Sequence, residues 1–131
     1  MKRLSVVVFL FFSFQMLQAQ DQTVLSEEPL FETKDIDLQP EFPGGMDNFY
    51  TFFELNFKKP EAPDLIGKIF LSFTVETDGS LSDIRTIKDI GFGTGVEAER
   101  VLQLSPKWIP GKKNDKIVRV NYILPIGIHT D

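Results

Sequence analysis

Ile69, Leu71, Phe73 and Val75 alternate with Phe70, Ser72, Thr74 and Glu76, and the run ends in Thr77-Asp78-Gly79-Ser80. Side chains on a strand alternate between its two faces, so this stretch carries one apolar face and one polar face. Asp78 and Gly79 are the residue types that a tight hairpin turn demands. The segment Leu81-Ser-Asp-Ile-Arg-Thr-Ile-Lys-Asp-Ile90 then reads as the returning strand, bent or at an edge because its alternation is poor. A chain that begins this way is committed to an antiparallel sheet that must be covered on one face.

Two helices are available to cover it. Pro43 favours an extended residue before it, and Gly44–Gly45 permits a sharp turn. Met46, Phe49, Tyr50, Phe53 and Phe57 follow at helical spacing on one face, until Pro60 and Pro63 stop the pattern. Phe52 and Leu55 fall off that face and are expected to be exposed. Thr94 and Glu97 form a capping-box signature ahead of Ala98, Val101 and Leu102, and Pro106 ends this second helix. A third strand alternates Val118, Val120, Tyr122 and Leu124 against Arg119, Asn121 and Ile123. Pro125 restricts that strand to an edge or its end. The predicted fold is α+β: a small three-stranded antiparallel sheet, order two-one-three, packed by two helices.

Trp108 is the only tryptophan and stands between Pro106 and Pro110–Gly111. It is read as a corner anchor filling the gap between the second helix and the sheet. Burial of a ring that size is worth about 2–3 kcal/mol.

Residues 1–19 read as a signal peptide: a basic start, an apolar run of 14 residues from Leu4 to Leu17, and cleavage after Ala19. The expected location is the periplasm, or the inner membrane if the segment stays uncleaved. Residues 20–40 hold six acids against one base and read as an acidic flexible leader or tether. Residues 41–131 form the domain and hold 13 acids against 11 bases, which excludes the clustered basic face of a nucleic-acid binder. The chain has no cysteine, which removes disulfides, thiol catalysis and cysteine metal sites.

No residue pattern points to an enzyme, a metal or a cofactor. His129, the lone histidine, is expected in a frayed exposed tail. Glu76, Asp78 and Asp83 flank the turn without calcium-loop spacing. Gly91-Phe-Gly-Thr-Gly95 lacks the lysine of a phosphate loop and reads as a turn with Phe92 docked on the core. Lys58–Lys59 and Lys112–Lys113 with Lys116 read as solubilising edge or loop features rather than contacts for acidic partners or lipid headgroups.

Four segments carry a resemblance, in order: PEFPGG before an aromatic-rich helix, GKIFLSFTVETDGSLSDIRTIKD, EAERVLQLSPKWIPGKK, and VRVNYILPIGI. Over about residues 40–128 the chain resembles the TonB C-terminal domain family, in the form common among small envelope proteins of Bacteroidetes-type bacteria. The resemblance marks Pro43, Gly44, Gly45, Asp78, Gly79, Trp108, Pro110 and Gly111 as its structural motif. It implies a partner-binding module without catalysis, in which a peptide of an envelope protein or outer-membrane transporter pairs as an added strand on the last strand. Carried onto this chain, that edge is Val118, Arg119, Val120, Asn121, Tyr122 and Ile123, with Arg119 and Asn121 as outward polar contacts. The chain departs from full energy transducers in its short apolar run and in a tether with only two prolines, Pro29 and Pro40. The alternatives are a homodimer through the same edge and a small-ligand binder.

Overall fold

The computed structural model describes residues 28–131. The signal peptide expected at 1–19, and the first part of the leader, lie outside the described residues.

The hairpin forms as its sequence requires. Strands β2 (Ile66–Val75) and β3 (Leu81–Lys88) pair antiparallel, with register shifts after Phe70 and Ser72 that bend the outer strand. The last strand, β5 (Lys116–His129), pairs antiparallel with β2 from Ile66↔His129 to Val75↔Val120. These three strands stand in the expected order, with β2 central.

The sheet is nevertheless not three-stranded. It has five strands, is mixed, and curls strongly into a half-barrel. The leader supplies β1 (Leu30–Glu32), which runs parallel to β5 with Leu30↔Arg119, Phe31↔Val120 and Glu32↔Asn121. The corner segment supplies β4 (Gly111–Lys113), which pairs antiparallel with β5 across Asn114 and Asp115. Both loop residues have positive φ, 52° and 65°, the pattern of a two-residue hairpin turn. Two strands of three residues each are too short to show a period, so alternation alone could not reveal them.

Helix α1 (Met46–Asn56) starts where Gly44 and Gly45, at φ 85° and 96°, turn the chain. A Cβ on Gly44 would stand 1.9 Å from the Asn48 amide nitrogen, which donates to the Pro43 carbonyl. Phe49 and Phe53 are buried, and Phe57 stacks on Phe53 at 4.9 Å. The buried arc is rotated from the expected one. Tyr50 is exposed, while Phe52 tucks against Phe42 at 5.6 Å, because Phe42 and Trp108 close that side of the helix. Leu55 is exposed as expected.

Helix α2 (Thr94–Gln103) buries Ala98, Val101 and Leu102, but no capping box forms. Gly93 holds the cap position at φ 75°, and the Thr94 hydroxyl donates to the Gly91 carbonyl at 2.7 Å. Glu97 is engaged elsewhere. Its carboxylate accepts from the Arg100 guanidinium at 2.6 Å and from the Lys58 backbone N–H at 2.9 Å. Arg100 also donates to the Asn56 carbonyl at 2.7 Å, so the two residues bolt α2 to the end of α1. The Arg100 bond, opposed by burial and helped by the Lys58 amide, holds the Glu97 pKa down to about 2 from 4.5. A depressed carboxylate stabilises the fold above its unfolded pKa and loses that contribution as pH falls through the folded value. The stability gap between the native chain and Glu97→Gln, followed by urea unfolding, is therefore expected to close as pH falls from about 5 to 2.

The C-terminal residues are tied down. Thr130 exchanges backbone and side-chain hydrogen bonds with Leu65, both at 2.9 Å, and its hydroxyl donates to the Ala62 carbonyl. His129 is exposed but is not frayed, since it is paired in the ladder with Ile66. Phe92 is also corrected: it stands 65% exposed at φ 57° rather than docked on the core. No helix among the described residues is long and apolar enough to cross a membrane.

Trp108 sits where all these elements meet. Its ring lies edge-on to Phe42, Phe73 and Tyr122 at 5.4–5.8 Å, and its indole N–H donates to the Ser105 hydroxyl at 3.0 Å. Its backbone N–H donates to the Gly79 carbonyl at 2.8 Å, docking the corner onto the hairpin turn. The neighbouring Ile109 exchanges hydrogen bonds with Glu41, so the segment before α1 is fastened to the same corner.

Candidate functional site

The six edge residues divide between the two faces of β5. Val120 is wholly buried, and Tyr122 stacks on Phe73 at 5.5 Å. Val118 is half-buried and lies at the next even position toward the strand start. Arg119, Asn121 and Ile123 occupy the opposite face. Ile123 is exposed there.

The two polar residues of that face are held from within the chain. The Arg119 guanidinium meets Glu76 twice, Nε to Oε1 at 2.7 Å and Nη2 to Oε2 at 3.2 Å. Such a two-point bond fixes the guanidinium plane. It also holds the Glu76 carboxyl below its ordinary range, with burial working against it and the Ser82 hydroxyl assisting. Glu76 thus belongs to a structural ion pair rather than a cation site. Asn121 donates to the Ser72 hydroxyl at 3.2 Å and to the Phe73 carbonyl at 3.4 Å. Burial raises the Tyr122 pKa above the ordinary tyrosine value.

The main chain of the edge is partly covered. At Val120 and Asn121, β2 lies on one side of β5 and β1 on the other. The leader was expected to be a flexible tether; its described part, residues 28–40, runs along the domain and supplies that covering strand. From Tyr122 to His129, no described strand pairs with β5 on the side away from β2. Pro125 falls within this uncovered stretch, where a missing N–H costs no ladder bond. An open groove of about 490 Å³ lies beside the start of β5, lined by Glu28, Pro29, Phe31, Lys113, Lys116 and Val118 among others.

The structural motif residues are drawn together elsewhere. Gly79 and Trp108 share a hydrogen bond, and Pro43 to Gly45 start α1 on the same core. Pro110 and Gly111 lead into β4, and a Cβ on Gly111 would meet Val120 at 2.8 Å. The motif is therefore a scaffold that positions β5. Among the described residues, no group of three acidic or histidine side chains is placed to hold a metal ion.

Sequence reasoning missed the role of Leu30–Glu32 and of the Asn114–Asp115 hairpin. The second had a readable signal, two turn-forming residues between Lys113 and Lys116. No family model matches the chain, and neither does any curated protein or solved structure.

Proposed function

We propose that this chain is a periplasmic protein-interaction module that binds an extended peptide of an envelope protein, such as an outer-membrane transporter, by strand addition at β5. One observation carries the reading. The side of β5 away from β2 already holds a short strand, the leader segment Leu30–Glu32, at the end of the sheet order β1-β5-β2-β3. An edge that takes one short strand in parallel offers the backbone hydrogen bonds that a second such strand needs. The chain's resemblance to the TonB C-terminal domain family points to the same strand, and its apolar N-terminal segment to export.

The test is a titration with peptides from the N-terminal extensions of outer-membrane transporters, followed on backbone amides by NMR. Shifts are expected to concentrate between Lys116 and Ile123. Binding with shifts confined to β3 or α2 would remove the reading, as would no shift at millimolar peptide. A molecular mass that rises with concentration would move the edge to self-association.

A further inference from the structure

We infer that the leader strand is an internal stand-in for the partner, so that the partner is an acidic extended segment with a bulky apolar residue at the place of Phe31, running parallel to β5. The inference rests on strand addition at this edge being the function.

Four features support it. First, the strand is held weakly. It makes three ladder pairs, and Leu30 is half exposed. Secondly, its central residue alone faces inward. Phe31 pairs with the wholly buried Val120 and lies under the Lys113 ammonium, 5.9 Å from the ring centre. The open groove extends beside it, leaving room for a larger side chain. Thirdly, the surroundings are basic. Lys113 and Lys116 line the groove against the single acid Glu28, while Arg119, its charge paired with Glu76, donates to the Glu28 carbonyl at 3.0 Å. A backbone carbonyl is a contact that any peptide supplies, while the lysines favour carboxylates beside it.

Fourthly, release is local. Behind β1 the chain is fastened separately: Lys113 donates to the Asp35 carbonyl at 2.9 Å and the Asn114 N–H to the Asp37 carboxylate at 2.7 Å. Leu38 then bridges to Lys112. The strand can leave β5 while residues 35–41 stay in place. An intramolecular competitor at high effective concentration lowers the apparent affinity for any strand added from outside.

The probe is a capped synthetic peptide copying residues 28–34, Glu-Pro-Leu-Phe-Glu-Thr-Lys, titrated into the purified full chain and followed by NMR and calorimetry. Phe31→Gly in the protein is expected to tighten its binding about tenfold relative to the native chain. A peptide with aspartate at the phenylalanine position is expected to lose most of that binding. The pair Glu32→Cys and Asn121→Cys provides a lock in a chain with no other cysteine. Adjacent strands stand roughly 4.8 Å apart, within the span of a disulfide. The oxidised protein is expected not to bind, and the same variant to bind once it is reduced. Equal binding to native, Phe31→Gly and oxidised forms would overturn the stand-in, even with transporter peptides still shifting β5. Failure of the copied peptide on every form, while transporter peptides bind, would overturn it too. Failure of both peptide classes would remove strand addition itself.

Discussion

Replacing Trp108 by alanine is expected to lower the unfolding free energy by about 3–5 kcal/mol, the range for deleting a large core aromatic. The indole touches four aromatic rings, Phe42, Phe49, Phe73 and Tyr122, which come from the segment before α1, from α1, from β2 and from β5. Its removal leaves a void that no one element can close by shifting. The main chain on both sides is pinned, at Gly79 through the Trp108 N–H and at Glu41 through Ile109, so the site collapses little. For a domain this size the melting temperature is expected to fall by at least about 12 °C. Circular dichroism is the right probe, because the substitution deletes the only tryptophan. Trp108→Phe is expected to recover more than half of the loss, while leaving the Ser105 hydroxyl without its indole donor. A loss below about 1 kcal/mol for the alanine variant would mean that the corner does not organise the core.

Gly79→Ala is the second large effect, expected at about 2–4 kcal/mol. Two causes act together. The residue sits at φ 89°, where an L side chain is strained. A Cβ there would also stand 2.1 Å from the Trp108 carbonyl oxygen, which is backbone and cannot swing aside. Asparagine, which tolerates left-handed conformations, relieves only the first cause, so Gly79→Asn is expected to remain within about 1 kcal/mol of the alanine variant. Because the clash falls on the main chain of residue 108, the costs of Gly79→Ala and Trp108→Ala are expected to be less than additive. Their coupling in a double-mutant cycle is expected at about 1 kcal/mol or more. Full additivity in urea unfolding would show that the turn and the corner are independent.

The hairpin, both helices and the long last strand were legible because each runs through enough residues to show its period. Ile69 to Val75 alternate over a full strand, and Phe49 and Phe53 repeat at a helical turn. Trp108 was legible from its prolines. What escaped was decided by contacts between distant segments. Leu30-Phe31-Glu32 has no pattern of its own; it becomes a strand because β5 offers a partner. Thr94 and Glu97 have the spacing of a capping box, yet Arg100 and the Lys58 amide take the glutamate first. Tyr50 and Phe52 exchanged places because the position of Phe42 is set by the chain before the helix. At the candidate site the strand and its inward and outward residues were readable, whereas the segment lying against it was not.

The parallel seating of β1 also sets how the molecule yields to tension. A pull applied ahead of Glu28 reaches the domain through Leu30–Glu32 before it reaches any helix or the central hairpin. The Arg119 bond to the Glu28 carbonyl and the three ladder pairs give way first, and the chain is next fastened to the domain at Asp35 and beyond. Once freed, the chain from Glu28 to Asp35 has a contour length of roughly 25 Å at the extended reach of about 3.3–3.6 Å per residue, part of it already extended in β1. The same tug that stretches the leader uncovers β5 between Arg119 and Asn121, so traction at one end of the chain and exposure of its edge become a single mechanical event.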